Sequence, residues 1–274
     1  VLRSLARKKE SLSLPQGDGL QALSLRYSIP QDLIALWQRS YGKNLTAQLL
    51  EAFQRRAPLY LRVNPLRATM EGLAVSLGRQ GFSLKPVEAL PWAAVAEGEG
   101  SPATLEEFQE GLFHVQDLSA QLACSLLEAQ PGQAVCDCCA APGGKSFTLA
   151  ENMENTGSLY AFDLYKGRVG LIQQGAERLR LSCIQAGRRD ASKPYEGLGQ
   201  MDCVLCDVPC SGYGVIRRKP EIRYKPLSSV KELPSLQYAI LENGAALVKP
   251  GGLLVYATCT LNPKENGQVA LRFL

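Results

Sequence analysis

Between Val135 and Ser146 the chain reads VCDCCAAPGGKS, and no other stretch limits the fold so tightly. The short apolar run Ala134 to Cys136 leads into Ala140-Ala141-Pro142-Gly143-Gly144-Lys145, and a helix-compatible run follows from Phe147 to Glu151. A strand, a tight turn and a helix are expected in that order. Paired glycines let backbone pass close to a bound molecule, and the free amides of a new helix favour negative charge at its N-terminus. Two standard phosphate-binding patterns fail on inspection. G-x-G-x-x-G is absent, and Cys139 stands where G-x-x-x-x-G-K-[ST] requires its first glycine.

The next segments narrow the ligand. Ser158 to Phe162 reads as a second strand ending at Asp163, twenty residues after Gly143, where nucleotide-binding folds place a ribose-binding acid. Gln185-Ala186-Gly187 leads to Asp190, and Asp202 to Asp207 (DCVLCD) is another buried-strand pattern ending in an acid. Three strand-like runs thus each deliver an aspartate to the carboxyl edge, where open α/β sheets bind ligands. The plainer reading is that aspartates cap helices after strands. From Ala134 onward the βαβ alternation predicts a parallel sheet.

A chain of 274 residues with 46% hydrophobic content can build one large or two modest domains. Its net charge of +4 falls short of a dedicated nucleic-acid binder. The distribution is less even: residues 1–90 hold thirteen Lys and Arg against six Asp and Glu, and Arg217-Arg218-Lys219 with Arg223 and Lys225 form a second basic run. Either cluster suits phosphate contact or an ordinary solvated surface. Nine cysteines without a signal peptide suggest reduced thiols and a cytoplasmic setting, and no apolar run is long enough for a membrane. No metal site is expected, because Cys136, Cys138 and Cys139 fall in a strand and turn whose alternate side chains diverge, and of Cys203, Cys206 and Cys210 the first two likewise alternate within a strand.

Along the chain, Val1 to Lys9 reads as the end of a basic helix and Glu10 to Arg26 as a linker. Residues 27–110 show a helix, strand, helix, strand order, a small α+β domain, with Glu97 to Glu110 loop-like. Residues 111–274 form the larger domain. Its sole histidine, His114, has no carboxylate and nucleophile at recognisable spacing and is read as structural. Cys210 in DVPCSG and Cys259 in ATCT sit at the ends of two expected strands, Asp202 to Asp207 and Leu253 to Ala257, on the rim that carries the turn. A thiolate is suited to adding to an electron-poor ring carbon, and Asp207 could bond the ring nitrogen as charge develops.

The ordered set DCCAAPGGK, AFD, GRRDAS, DCVLCDVPCSG, LVKPGG and YATCTLNPKEN closely resembles the Nop/Sun family of S-adenosylmethionine-dependent RNA cytosine-C5 methyltransferases. FHVQDLSAQ and LRVN resemble further shared segments, and Val1 to Lys9 resembles the tail of the NusB-like domain of bacterial Sun/Fmu-type ribosomal RNA enzymes. The resemblance implies a Rossmann-like methyltransferase fold preceded by a small RNA-binding domain, with small-subunit ribosomal RNA as partner and a monomer as the working form. Cys139, Ala140, Ala141, Pro142, Gly143, Gly144 and Lys145 would form the cofactor loop, with Asp163 on the ribose, Asp190 near the adenine, Arg168 alongside, and Asp207 by the methionine part and target base. Cys259 would attack C6 of cytosine, and Cys210 would help release the product. Arg62, Asn64, Arg217, Arg218, Lys219 and Arg223 would hold RNA. TCT replaces the usual TCS and DVPCSG the usual DAPCSG, and the sequence stops at Leu274, earlier than a closed seven-strand sheet would need. A P-loop nucleotidase, a non-catalytic RNA-binding module and a zinc-bound cysteine protein are the alternatives.

Overall fold

The computed structural model describes Arg7 and residues 15–274, so the helix end expected over Val1 to Lys9 lies almost wholly outside the described residues. The chain divides into two compact units. The first is assembled from the described residues up to 57 together with 210–233 and 259–268, and the second from the remainder.

In the first unit, α1 (Leu20–Tyr27) and α2 (Gln31–Ala52) carry the core. Residues 20–26 were expected to be linker. They fold instead because Leu23 buries its side chain with Ile29, Leu33, Ile34, Trp37, Leu50 and Phe53. Gly42 breaks α2 with φ of 79° and ψ of 164°. Tyr213, Ile216 and Val230, from far along the chain, complete this core.

The second unit holds two sheets. The smaller follows the order β1 (Leu59–Val63), α3 (Met70–Gly78), β2 (Ser83–Val87), β3 (Leu90–Glu97), α4 (Glu106–Gln109), β4 (Phe113–Val115). Its strands are antiparallel in the order β2-β3-β1-β4, the split β-α-β arrangement of ferredoxin-like domains. Two features differ from expectation. β3 was not anticipated, because Pro91 and a run of small alanines hide the alternation of LPWAAVAE, although Pro is tolerated near a strand's start. β4 lies past residue 110 yet pairs with β1, Arg62 facing His114 in register.

The larger sheet is wholly parallel: β5 (Ala134–Asp137), β6 (Ser158–Asp163), β7 (Ile184–Arg188), β8 (Met201–Asp207) and β9 (Val248–Ala257) in the order β7-β6-β5-β8-β9. Such strands are buried on both faces and alternate their side chains between them. Val135, Leu159, Ala161, Cys203 and Leu205 pack with Leu149 and Ala150 of α6 (Gly144–Asn152) and with Ile172 of α7 (Lys166–Leu179). Cys136, Phe162, Val204 and Cys206 pack on the other face with Ile240 and Leu247 of α8 (Leu233–Leu247). That helix stops at Leu247, and the chain enters β9 at once with a register shift opposite Met201 to Cys203. The sheet order reverses between β5 and β8, the switch point where doubly wound folds bind ligands. Among the described residues no helix is long and apolar enough to cross a membrane.

Candidate active site

At the end of β5 the backbone turns through Cys139 to Gly143 and starts α6. Cys138 donates its N–H to Leu205 O at 2.9 Å and Ala140 to Phe162 O at 2.7 Å, pinning the loop to strands β8 and β6. Gly143 caps the helix with φ of 115°, and a Cβ there would lie 2.3 Å from the Phe147 ring. Only glycine fits that corner.

Lys145 reaches across the switch point, its Nζ 2.6 Å from Asp207 Oδ2 at the end of β8. Burial works to lower the lysine's pKa, but the charge and hydrogen bond of Asp207 outweigh it and leave it raised. Asp163, buried at the end of β6, accepts from Tyr165 N at 3.1 Å and lies 3.4 Å from Arg168. Arg168 also donates to Ala141 O at 2.7 Å, tying α7 to the loop. Asp190 accepts from the hydroxyl and backbone N–H of Ser192, at 2.6 and 3.0 Å, bonds that hold its carboxyl below the usual range. The loop, Asp163, Arg168 and Asp207 thus share one rim of the sheet, an arrangement of carboxylates and cations suited to a nucleoside carrying charged groups.

Asp137, one residue before the turn's cysteines, escaped the sequence reading because nothing marks it as more than another strand-end acid. It is fully buried and accepts from Ser146 Oγ at 2.7 Å. Burial pushes its carboxyl up to about 7, against the Ser146 bond that works to lower it. Folding therefore raises this pKa, the native state binds the proton better, and stability is lost as pH rises from the unfolded value through 7. Asp137→Asn, which keeps an acceptor for Ser146, is expected to gain stability over the parent progressively between pH 5 and pH 8. Denaturant melts at the two pH values measure this, and a gap that does not change with pH would contradict it.

Behind α6 lies a second buried network. Glu151, with no exposed side-chain surface, receives Arg62 Nε at 2.5 Å and has His114 Nδ1 at 3.4 Å. Arg62 also donates to Asn152 Oδ1 at 2.8 Å. His114 Nε2 lies 3.3 Å from Gln116 Oε1, whose amide donates to Gly144 O at 3.0 Å. Asn64, fully buried, donates to Gly111 O and Leu179 O. Arg62 and Asn64 were expected at RNA. Their polar atoms are instead spent inside the protein, so their part is to hold the small sheet against α6 and α7.

Cys210 and Cys259 belong to the first unit, their sulfurs 3.2 Å apart. The residues after them are joined as well, Ser211 Oγ to Thr260 Oγ1 at 2.6 Å. Glu265, fully buried, accepts from Ser211 N at 2.7 Å and from Asn262 Nδ2 at 2.9 Å. Gly214 donates to Cys259 O at 3.0 Å, so close that a Cβ on it would lie 2.8 Å from that oxygen. Cys259 is exposed and Cys210 partly buried. The hydrogen bond with Cys259, then burial, push the Cys210 thiol up, so it stays protonated beside an accessible sulfur. Among the described residues no group of three His, Cys, Asp or Glu side chains is placed to hold a metal ion.

Of the expected RNA-binding cations, Arg218 and Lys219 are exposed. Arg217 donates to Arg55 O and Arg56 O at 3.0 and 2.5 Å, and Arg223 to Tyr27 O and Ser28 O at 3.3 and 3.4 Å.

A five-stranded parallel sheet with an acid at its switch point, a glycine-cornered loop and a ferredoxin-like neighbour defines a Rossmann-like methyltransferase fold. Comparison with known proteins carries this further. Residues 124–274 match the family model described as 16S rRNA methyltransferase RsmB/F, and residues 29–100 match the RsmF/B-like ferredoxin-like domain. The chain belongs to the 16S rRNA methyltransferase RsmB/F family. It is 37% identical to the probable ribosomal RNA small subunit methyltransferase B of Bacillus subtilis, over all of this chain and 62% of that protein. The protein of the same name from Synechocystis is also 37% identical, over 92% of this chain and 58% of its own length. The chain therefore spans about three fifths of these relatives. A solved structure of a methyltransferase homolog protein from Pyrococcus horikoshii is 30% identical, with a TM-score of 0.81, covering 93% of this chain and 81% of that one.

Proposed function

We propose that the protein transfers a methyl group from S-adenosylmethionine to C5 of a cytosine in RNA, with small-subunit ribosomal RNA as the substrate. The observation that carries this is the thiol pair, Cys210 and Cys259 at 3.2 Å with one sulfur exposed, in a chain of this family. The donor set fits the cofactor: Asp163 offers a carboxylate to a ribose diol, and the Lys145–Asp207 pair offers both charges to an amino acid end. Bound S-adenosylmethionine supplies a methyl group on a positively charged sulfur, ready for transfer to a carbon nucleophile.

The residues divide the remaining work. Cys259, as thiolate, adds to C6 of the cytosine, and the electron pair displaced from the C5–C6 bond makes C5 nucleophilic. Asp207 hydrogen-bonds the ring, and the cation of its Lys145 partner offsets the negative charge raised by attack. After C5 has taken the methyl group, with Cys259 held in its bond to C6, Cys210 loses its own proton to solvent and as thiolate takes the C5 proton; the C5–H electron pair re-forms the C5–C6 double bond, and Cys259 leaves as thiolate. Loop residues Cys139 to Lys145, with Asp163, Arg168 and Asp190, hold the cofactor. The target base must leave its stack to be reached. Nine free thiols suit a reducing cytoplasm, and a monomer suffices because one chain carries every residue named.

The test is incubation with small-subunit rRNA and methyl-labelled S-adenosylmethionine, then nucleoside analysis. Label is expected in 5-methylcytidine. Label in another nucleoside would replace the reaction, and binding of ATP in place of S-adenosylmethionine would favour a nucleotidase.

A further inference from the structure

The basic run at residues 217–225 divides into two kinds of cation. Arg217 and Arg223 are committed inward, each guanidinium donating to two backbone carbonyls of the N-terminal helical segment. The carbonyls that Arg217 grips belong to Arg55 and Arg56, which follow α2 and whose side chains are exposed. The clamp thus brings two cations from the start of the chain to the basic run. Across residues 51–56 and 217–225 stand seven cations against two carboxylates, Glu51 and Glu221. Tyr224, next to the anchored Arg223, is 65% exposed. An exposed aromatic among cations is the composition of a single-stranded RNA surface, the cations taking phosphates and the ring a base face.

We propose that Arg55, Arg56 and Lys219 are the phosphate contacts and Tyr224 the stacking platform for single-stranded RNA flanking the target base, and that Arg217 and Arg223 assemble this surface without touching RNA. The inference rests on the RNA methyltransferase reading above and adds residues to it. A continuous cationic surface also steers association, so its effect falls steeply with salt.

The experiment is a salt titration of binding to an unstructured fragment of small-subunit rRNA, using the full-length protein. Each phosphate contact to a single strand contributes about 0.7 to the slope of log affinity against log salt. Arg55→Ala/Arg56→Ala is expected to flatten the slope by about 1.4 and to weaken binding about tenfold at low salt. Tyr224→Ala should weaken binding about tenfold with an unchanged slope. Arg217→Lys keeps its charge but loses the two-carbonyl fork, and should weaken binding as much as Arg217→Ala. S-adenosylmethionine affinity and thermal midpoint serve as controls and should stay at parental values in the Arg55/Arg56 and Tyr224 variants. An unchanged slope in Arg55→Ala/Arg56→Ala, or parental RNA affinity in Arg217→Lys, overturns the assignment while leaving the methyltransferase reading intact. A parental protein that binds no RNA overturns both.

Discussion

Cys259→Ala is expected to abolish methyl transfer, lowering turnover by about 10⁴-fold or more, while binding of S-adenosylmethionine persists. Losing the proposed nucleophile removes the proposed route by which C5 becomes electron-rich, whereas the residues proposed to hold the cofactor are untouched. Cys210→Ala should behave differently. Attack at C6 and methylation proceed, release stalls, and a protein–RNA adduct that survives denaturing gel electrophoresis accumulates. The geometry supports this asymmetry: Cys259 is exposed and Cys210, half buried, is kept as a thiol by its partner. An adduct with Cys259→Ala and none with Cys210→Ala would exchange the two roles.

The second large effect lies in the buried network behind α6. Arg62→Met leaves the carboxylate of Glu151 without its strongest partner, in a place where the side chain has no exposed surface. Removing one member of a buried pair costs about 3–5 kcal/mol, because the surviving charge stays desolvated. For a domain of this size that corresponds to a fall of roughly 10 °C in thermal midpoint. Arg62→Met/Glu151→Gln should recover more than half of the loss, since a neutral amide tolerates the site far better. Equal midpoints for parent and Arg62→Met would show that the pair contributes nothing. A loss of RNA affinity with unchanged stability would restore Arg62 to the RNA surface.

Arg62 also shows where sequence reading stops. The parallel sheet was legible because strands buried on both faces leave continuous apolar runs, and because three of those runs deliver an aspartate to the carboxyl edge. Asn64 follows just past the end of β1, and Arg62 sits within that strand, where adjacent positions alternate faces. Nothing local reveals that Glu151, 89 residues away, waits on the buried one. The same holds for Arg55 and Arg56, whose link to Arg217 spans 162 and 161 residues. β3 went unseen for a different reason: small alanines carry little contrast between faces, so pairing with β1 and β2, not side-chain pattern, makes that strand. The loop was readable as a turn, but the burial of Asp137 beneath it depends on packing from β8 and α6 that no window of sequence contains.

The first unit is stitched from three stretches, and Cys210 and Cys259 are the opening residues of the second and third. α1 and α2 therefore lack a complete core until Tyr213, Ile216 and Val230 exist, and Tyr41 finds its acceptor, Leu261 O, 220 residues later. On a ribosome adding about 5–20 residues per second, these two helices wait roughly 10–50 s for partners, with apolar surface open to chaperones or to aggregation. Loop closure over such separations is slow compared with local pairing. The two thiols consequently become neighbours only after residue 259 has been added, and assembly of the proposed nucleophile Cys259 with Cys210 is a non-local event, vulnerable to any truncation before residue 268.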